Sequence, residues 1–256
     1  MSFSISAIVV AKNEEKRILN CLNSLSWVNE LIVVDNGSID NTGILANKFG
    51  AKVFRVAEEK LSSFSARKNY AFKKAKCDWI LFLDADEEIT KNLKKEILEE
   101  ISKQSLTFSA YAMPRENRIL GKVLKYGGWW PDFVIRLIKK DTFAGFSGRL
   151  HEQPNYQGSL GYLKNFILHN KHDNITDMVE KTNNWSEIEA ELMVEGGHPK
   201  MNIVRFFTAG WREFYLRIIK YKAFLDGWIG TIYGMYQVYS RLVSYSKLWE
   251  RQLRQH

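Results

Sequence analysis

Residues 6–25, SAIVVAKNEEKRILNCLNSL, pass from a run of small and β-branched residues through a polar segment into a helical pattern. The first seven residues predict a strand, because valine and isoleucine favour extended backbone. Ile18, Leu22 and Leu25 then recur at intervals of four and three residues, which is the spacing of one helix face. The stretch therefore predicts a strand, a polar loop and a helix in that order.

The same order of elements repeats along the first half of the chain. Strands that are apolar on both faces and alternate with helices are typical of a parallel sheet covered on both sides. The further predicted strands are ELIVVD (30–35), AKVFRV (51–56) and WILFLDAD (79–86), and the further helical patterns are DNTGILANKFG (40–50) and FSARKNYAFKKAK (64–76). The predicted fold class is therefore α/β with a Rossmann-like sheet.

The second half of the chain has a different pattern. Residues 109–170 hold shorter strand-like pieces among glycines and aromatic residues, which predicts a mixed part of the sheet. From about residue 174 the chain reads as helical. We therefore expect a catalytic α/β domain followed by a helical C-terminal extension.

The composition of the 256 residues favours a globular protein of a reducing compartment. Apolar residues make up 45% of the chain, and no uncharged apolar run reaches the roughly 18 residues of a membrane-spanning helix. The N-terminal residues MSFSISAIVV lack the basic segment of an export signal. The two cysteines, Cys21 and Cys77, lie inside predicted regular elements, which suits buried thiols. We expect a cytoplasmic protein.

The net charge of +8 comes almost entirely from residues 200–256, which hold ten Lys and Arg against three acids. Apolar residues recur there every three or four positions, with Arg205, Arg212, Arg217 and Lys220 on the other side. One interpretation is amphipathic helices packed on the catalytic domain or on a second subunit. The other is a surface that meets anionic lipid headgroups. No nucleic-acid-binding motif accompanies the charge. The apolar residues are Ile203, Phe207, Trp211, Phe214, Ile218, Tyr221 and Leu225, and Ile229, Ile232, Tyr236, Tyr239 and Val243 start a second row.

Three of the predicted strands end in polar segments, AKNEE, DNGSIDNT and DADEE. In parallel sheets ligands bind beyond the carboxyl ends of the strands. Asp84 and Asp86 lie two residues apart, so in extended backbone both carboxylates point to one side and can share Mg²⁺ or Mn²⁺. Strand-end acids also arise without a metal, because carboxylates favour helix starts. We assign Glu87 and Glu88 to that second explanation, as first-turn acids of a helix at 91–102.

The four segments AIVVAKNEEKRILNCLNSL, ELIVVDNGSIDNT, ARKNYA and WILFLDADEE, in this order and spacing, resemble the nucleotide-sugar-binding half of the family 2 glycosyltransferases. The later GGWWPDFVIRLIKK and LHEQP, with the helical C-terminal part, resemble the lipopolysaccharide core β-glucosyltransferase branch. The resemblance implies the GT-A fold. It implies a catalytic domain at 1–173, with a nucleotide-sugar-binding half at 1–105 and an acceptor half at 106–173, and a basic helical extension at 174–256.

The resemblance also implies roles for individual residues. Asp35 matches the acid that hydrogen-bonds uracil. Lys68 stands where the family usually has arginine and matches the diphosphate contact, without the bidentate fork of a guanidinium. Asp84 matches the contact to the ribose or to a metal-bound water. The residues that match the donor site are Ala11, Asn13, Glu14, Asp35, Lys68, Asp84 and Ala85.

The resemblance makes Asp86 the direct metal ligand, and His169 the later histidine that approaches the metal or the diphosphate. Two carboxylates compete for the role of the catalytic base. Glu152 matches the family position of the base, and Asp132 is its rival, which could instead bind a sugar. Trp129 and Trp130 would either stack on a sugar ring or fill the core.

The implied activity is inverting transfer of a hexose such as glucose from a UDP-sugar to a lipopolysaccharide or lipooligosaccharide core, assisted by Mg²⁺ or Mn²⁺. The implied setting is the cytoplasmic face of the inner membrane, with peripheral contact to its surface. Transfer to a capsule or protein glycan is the alternative acceptor assignment. A non-catalytic module that binds a nucleotide sugar or glycan is the alternative from another class, and a homo-oligomer stays open.

Overall fold

The fold is given by a computed structural model that describes residues 3–56, 63–103, 107–148 and 152–254. The chain divides into two compact units. The first comprises Met1–Glu116 and Asp132–His169, and the second comprises Asn117–Pro131 and Asn170–His256. The domain boundaries expected from the sequence, at 105/106 and 173/174, stay a prediction.

The first unit contains four parallel strands that lie side by side. The strand β1 (Ile5–Ala11) lies between β2 (Glu30–Asp35) and β4 (Trp79–Asp84), and β3 (Lys52–Arg55) pairs with β2. Every residue of β1 is buried. Burial of both faces explains why this strand is apolar throughout, and it confirms the predicted parallel sheet.

Helices connect these strands and cover the sheet. They are α1 (Ile18–Ser24), α2 (Thr42–Phe49), α3 (Phe64–Phe72) and α4 (Lys91–Ile101). The helix α2 ends at Gly50, whose φ of +99° is the left-handed conformation that glycine adopts without a Cβ clash. The helix α4 begins after Thr90, whose hydroxyl accepts the N–H of Leu93 at 3.3 Å.

The rest of the first unit is mixed, as predicted. The strand β8 (Asp132–Lys139) runs antiparallel to β4 and to β6 (Ala110–Ile119). The short β5 (Glu87–Ile89) pairs antiparallel with β12 (Ile167–His172). The strands β9 (Phe143–Ser147) and β10 (Gln153–Tyr156) pair with each other, and β11 (Leu160–Tyr162) runs parallel to β6.

The second unit is mainly helical, which confirms the predicted helical C-terminal region. It contains the last residues of β6 and β12, the short β7 (Lys122–Val123), and the helices α5 (Ile175–Glu195), α6 (Ile203–Phe214) and α7 (Gly227–Arg254). A π-helical turn (Tyr215–Lys220) and a 3₁₀ turn (Ala223–Asp226) join the last two helices. In the described parts of the chain, no helix has the length and apolar character needed to cross a bilayer.

Trp129 belongs to the core of this second unit. Its ring is buried, and its centroid lies 4.7 Å from that of Tyr233 in α7. Gly127 has a φ of +77°, and a Cβ there would lie 2.0 Å from the Trp129 ring, so the chain needs glycine at this approach. Of the two interpretations offered for Trp129, the structure supports core filling. Trp130 is half-buried, and Lys125 Nζ lies 3.8 Å from its ring centroid.

Candidate active site

The polar ends of β1, β2 and β4 meet at one edge of the sheet. Ala11 lies opposite Asp35 in the register of β1 and β2, and Val10 lies opposite Asp84 in the register of β1 and β4. Parallel strands place their carboxyl ends at the same edge, so this meeting follows from the topology alone. The structure therefore brings together the strand ends that carry the predicted donor-site residues.

Hydrogen bonds tie the first two of these loops to each other. Asn13, with a φ of +56°, donates its N–H to Ser38 Oγ at 3.0 Å and accepts the N–H of Ile39 on Oδ1 at 2.9 Å. The N–H of Glu14 donates to Thr42 Oγ1 at 2.7 Å. Three hydrogen-bonding groups of the neighbouring segment thus hold a backbone conformation that few residues adopt.

Asp35 is buried where β2 ends. Its Oδ1 accepts the N–H of Ser38 at 2.9 Å, and its Oδ2 lies 3.8 Å from Arg55 Nε. A Cβ built on Gly43, in the first turn of α2, would lie 2.7 Å from Asp35 Oδ2. The carboxylate therefore occupies space that any side chain at position 43 would need.

Asp84, at the end of β4, lies between two cations. Its Oδ1 is 3.3 Å from Lys68 Nζ, and its Oδ2 accepts a short hydrogen bond from the guanidinium of Arg136 in β8. Burial would raise the pKa of Asp84, but the charges of Arg136 and Lys68 outweigh burial and hold that pKa well below its ordinary value. Asp84 is therefore an anion whose charge is largely matched within the protein.

The prediction that Glu87 is a first-turn acid of a helix is wrong. It is completely buried in β5, and α4 begins only at Lys91. Its Oε1 lies 2.6 Å from Arg136 Nη2 and 3.3 Å from Arg115 Nη1, and its Oε2 accepts the N–H of Asp84 at 3.0 Å. Glu88 also lies in β5, half-buried, and not in the helix. A buried carboxylate needs partners of this kind.

The two rival bases each bind a cation of the same network. Glu152 Oε1 lies 2.5 Å from Lys68 Nζ, and Asp132 Oδ2 accepts from Arg115 Nη2 at 2.7 Å and Nε at 3.0 Å. The contacts join into an unbroken series of alternating charges with a candidate base at each end. We call it the ion-pair chain, and its members in order are Glu152, Lys68, Asp84, Arg136, Glu87, Arg115 and Asp132.

Local contacts hold Lys68 in this network, between Glu152 and Asp84. Ser63 caps the start of α3, and its Oγ accepts the N–H of Ala66 at 3.1 Å. Asn69 exchanges two hydrogen bonds with the backbone of Phe146 in β9, at 2.7 and 2.9 Å. These contacts fix the helix against the sheet, so the Lys68 side chain is buried although it carries a charge.

Asp86 and His169 form the part of the site that suits a metal. Asp86 Oδ2 lies 3.5 Å from Nε2 of His169, which is buried in β12 opposite Glu87. Among the residues that the structure describes, no group of three or more His, Cys, Asp or Glu is arranged to hold a metal. A carboxylate and an imidazole nevertheless fit Mg²⁺ or Mn²⁺, which take their remaining ligands from water and substrate phosphates.

Arg115, Arg136 and Glu87 were absent from the sequence-based set of site residues. A signal for one of them exists in FVIRLIKK, where an arginine at position 136 interrupts an apolar strand. A charge in a buried strand predicts a buried partner, because an unpaired ion there is costly. The partner itself, Glu87, could not be identified without the fold.

Comparison with known proteins agrees with these observations. The model of the family described as glycosyl transferase family 2 matches residues 6–160, more than half of the chain. Lipopolysaccharide core biosynthesis glycosyltransferase LpsC of Rhizobium meliloti is 26% identical over 96% of this chain and 92% of its own. A glycosyltransferase of Rickettsia typhi without a characterised role is 26% identical over 98% of this chain and 88% of its own.

Solved structures with a similar fold are more distant. A crystal structure of S. aureus TarS in complex with UDP has a TM-score of 0.49 and 16% identity over 99% of this chain and 92% of that chain. The predicted family and the predicted GT-A fold class, an α/β domain with a mixed sheet and a helical C-terminal region, are confirmed. The chain belongs to glycosyltransferase family 2.

Proposed function

We propose that the chain transfers a hexose such as glucose from a UDP-sugar to a glycan acceptor, with inversion at the anomeric carbon. The observation that carries this proposal is the edge of the sheet where Ala11, Asp35 and Asp84 meet beside the ion-pair chain. Carboxylates and a buried cation are thereby placed together beyond parallel strands, where such folds bind nucleotides.

The donor's nucleoside would lie against the loops that carry Asn13, Glu14 and Asp35. Asp35 Oδ2 is the carboxylate oxygen that would accept the ring N–H of uracil, since Oδ1 already accepts the N–H of Ser38. The diphosphate would reach Lys68 and the acidic turn of Asp84, Ala85 and Asp86. Asp86 and His169 are the residues that would hold Mg²⁺ or Mn²⁺, which when bound offsets the charge of the diphosphate.

The chemical step needs a base for the acceptor hydroxyl. As the acceptor oxygen bonds to the anomeric carbon, the bond to the diphosphate breaks, the proton passes to the base and UDP leaves. We propose Glu152 as this base, with Asp132 as the rival. Glu152 is paired with Lys68, so a diphosphate that binds Lys68 would weaken the hold on the carboxylate that must accept the proton.

The acceptor is proposed to be a lipopolysaccharide or lipooligosaccharide core, at the cytoplasmic face of the inner membrane and with peripheral contact to its surface. The support is the similarity to LpsC, which extends over nearly the whole of both chains. The net charge of +8 suits an acceptor that carries phosphates.

The test is turnover of UDP-glucose in Mn²⁺, with and without EDTA, after a thermal-shift screen of nucleotide sugars. We expect metal-dependent release of UDP, lost in Asp86→Ala and kept in Glu88→Ala, which removes a neighbouring acid. Metal-dependent release that survives Asp86→Ala would overturn the metal assignment. Donor binding without turnover, in the presence of core oligosaccharides, would favour a binding module instead.

A further inference from the structure

One row of large apolar residues on the helix α6 faces outward. Ile203, Phe207 and Trp211 lie on one side of the helix and are 57%, 64% and 63% exposed. The buried residues of the same helix are Ala209, Gly210 and the acid Glu213. Phe206 of the same helix is half-buried and packs against the core of the unit, so the exposed row is a second apolar side, which helices on globular proteins usually lack. The sequence predicted the apolar row but not the direction in which it faces.

Specific contacts fix that orientation within the second unit. A Cβ on Gly210 would lie 2.9 Å from Leu242 Cδ2, so α6 packs closely on α7 through its small residues. Glu213 is buried, and its carboxylate oxygens lie 2.7 Å from Arg217 Nε and 3.8 Å from Arg241 Nε, which offsets the cost of burying the charge. The buried side of α6 is therefore made of two small residues and one paired acid, and the row of Ile203, Phe207 and Trp211 is left at the surface.

The helix α7 adds a second outward row. Trp228, Ile232, Met235 and Tyr239 follow one another at intervals of four, three and four residues, and all are exposed. Large exposed apolar residues that recur at helical spacing on two packed helices exceed the single ones that ordinary protein surface carries. We call the two rows together the outer aromatic face. Its members are Ile203, Phe207 and Trp211 of α6 and Trp228, Ile232, Met235 and Tyr239 of α7.

Exposed cations accompany this face. Arg205 and Arg212 lie on the other solvent-facing side of α6, and Lys220 and Lys222 follow the helix. Within the ranges that the structure describes, none of these four forms an ion pair with an acid. Apolar and aromatic residues accompanied by such cations match the chemistry of an anionic lipid surface, where rings enter the headgroup boundary and charges meet the headgroups.

We propose that the outer aromatic face docks on an anionic lipid bilayer. A symmetric contact with a second copy fits less well, because such a contact would set the same cations against each other. This proposal assigns the membrane contact of the proposed function to a surface, and it rests on the proposed function for the membrane location. Its test needs neither donor nor acceptor, so lipid docking and the proposed glycosyl transfer can fail separately.

The test is sedimentation of the full chain with vesicles of phosphatidylglycerol and phosphatidylethanolamine, and with phosphatidylcholine vesicles as the neutral comparison. We expect binding to the anionic vesicles that weakens as salt is added. The double variant Phe207→Ser/Trp211→Ser should bind at least tenfold more weakly, because it lacks the two rings whose transfer from water into the lipid boundary favours binding. Arg205→Gln and Arg212→Gln should each lower binding roughly fivefold.

The matched control is Trp185→Ser, which removes an exposed ring from α5 in the same unit and should leave vesicle binding unchanged. Circular dichroism and thermal unfolding establish that each variant is folded. Unchanged binding in Phe207→Ser/Trp211→Ser would overturn the proposal. The proposal would also be overturned if the parent chain does not bind the anionic vesicles but forms a dimer, and Phe207→Ser/Trp211→Ser is a monomer. That result would assign the face to self-association.

Discussion

Lys68 Nζ lies 2.5 Å from Glu152 Oε1, and this contact joins the candidate base to a buried cation. The same ammonium lies 3.3 Å from Asp84 Oδ1. One positive charge is therefore shared by the carboxylate proposed to accept a proton and by the carboxylate at the end of β4. We therefore expect the charge of Lys68 to affect stability, and to affect donor binding and catalysis if the proposed roles hold.

Replacement of Lys68 by methionine should test that coupling. The variant leaves two carboxylates without a shared cation, and removing one partner of a buried pair costs about 3–5 kcal/mol. We expect urea unfolding to show a loss of about 3 kcal/mol, because Glu152 keeps some contact with water, and we expect weaker UDP binding. Lys68→Arg keeps the charge and should lose less of both. Parent-like stability in Lys68→Met would contradict this account.

The two rival bases can be separated by isosteric variants. If Glu152 is the base, Glu152→Gln should bind UDP-sugar normally and lose transfer by roughly 10²–10⁴-fold, the usual contribution of a positioned base. Asp132→Asn should then change KM for the acceptor more than kcat. Single-turnover rates and donor titrations check both expectations. The reverse pattern would give the role of base to Asp132.

Gly43→Ala should weaken nucleotide binding without removing any polar group. The added Cβ would lie 2.7 Å from Asp35 Oδ2, which is too close, so the carboxylate must move. We expect roughly tenfold weaker UDP binding in calorimetry, equivalent to about 1.4 kcal/mol. Ile44→Ala, at an exposed position of the same helix, is the control and should bind as the parent does.

His169→Gln should lower the affinity for Mn²⁺ in the presence of UDP. His169 Nε2 lies 3.5 Å from Asp86 Oδ2, so the variant removes one of the two protein groups suited to the metal. His172→Gln, in the same strand, is the matched control, because His172 Nδ1 contacts Asp177 instead. Titration calorimetry with UDP present measures the metal affinity. Equal affinities in the two variants would remove His169 from the proposed metal site.

Stability should fall on mild acidification because of His172. Burial lowers the pKa of His172 to about 4, although its 3.1 Å contact with Asp177 acts in the opposite direction. The unfolded chain takes up a proton below pH about 6.5, whereas the folded chain does so only near its lowered pKa. The contribution of His172 to the free energy of unfolding is therefore complete above pH about 6.5 and declines as the pH falls.

We expect this group alone to lower the free energy of unfolding by about 2 kcal/mol between pH about 7.5 and pH about 5. Urea unfolding of the parent and of His172→Gln at both pH values measures it. In His172→Gln the free energy of unfolding should differ correspondingly less between the two pH values. An identical difference in both proteins would mean that His172 is not the cause.

The parallel part of the fold was predictable because each of its signals is local. A strand buried on both faces is apolar along its length, and the end of such a strand is where polar residues first appear. That local pattern led to Asp35, Asp84 and Asp86 at one edge. The register of β1 with β2 and β4 supports this placement.

Glu87 could not be assigned correctly from local signals. An acid just before a helix looks the same in sequence whether it caps the helix or lies in a buried strand. What decides the matter is β12, which pairs with β5 from about eighty residues further along the chain. The direction in which the apolar row of α6 faces could not be predicted for a similar reason. The row itself does not show which side of the helix packs against another element.

The hydrogen bond from the N–H of Asp84 to Glu87 Oε2, 3.0 Å long, closes the acidic turn on itself. Glu87 is in turn paired with the buried Arg136 and the half-buried Arg115. The turn is therefore preorganised, and a donor would meet it without the entropic cost of ordering a loop. We therefore expect the backbone of this turn to keep its conformation when a donor binds, with the adjustment confined to side chains such as that of Lys68.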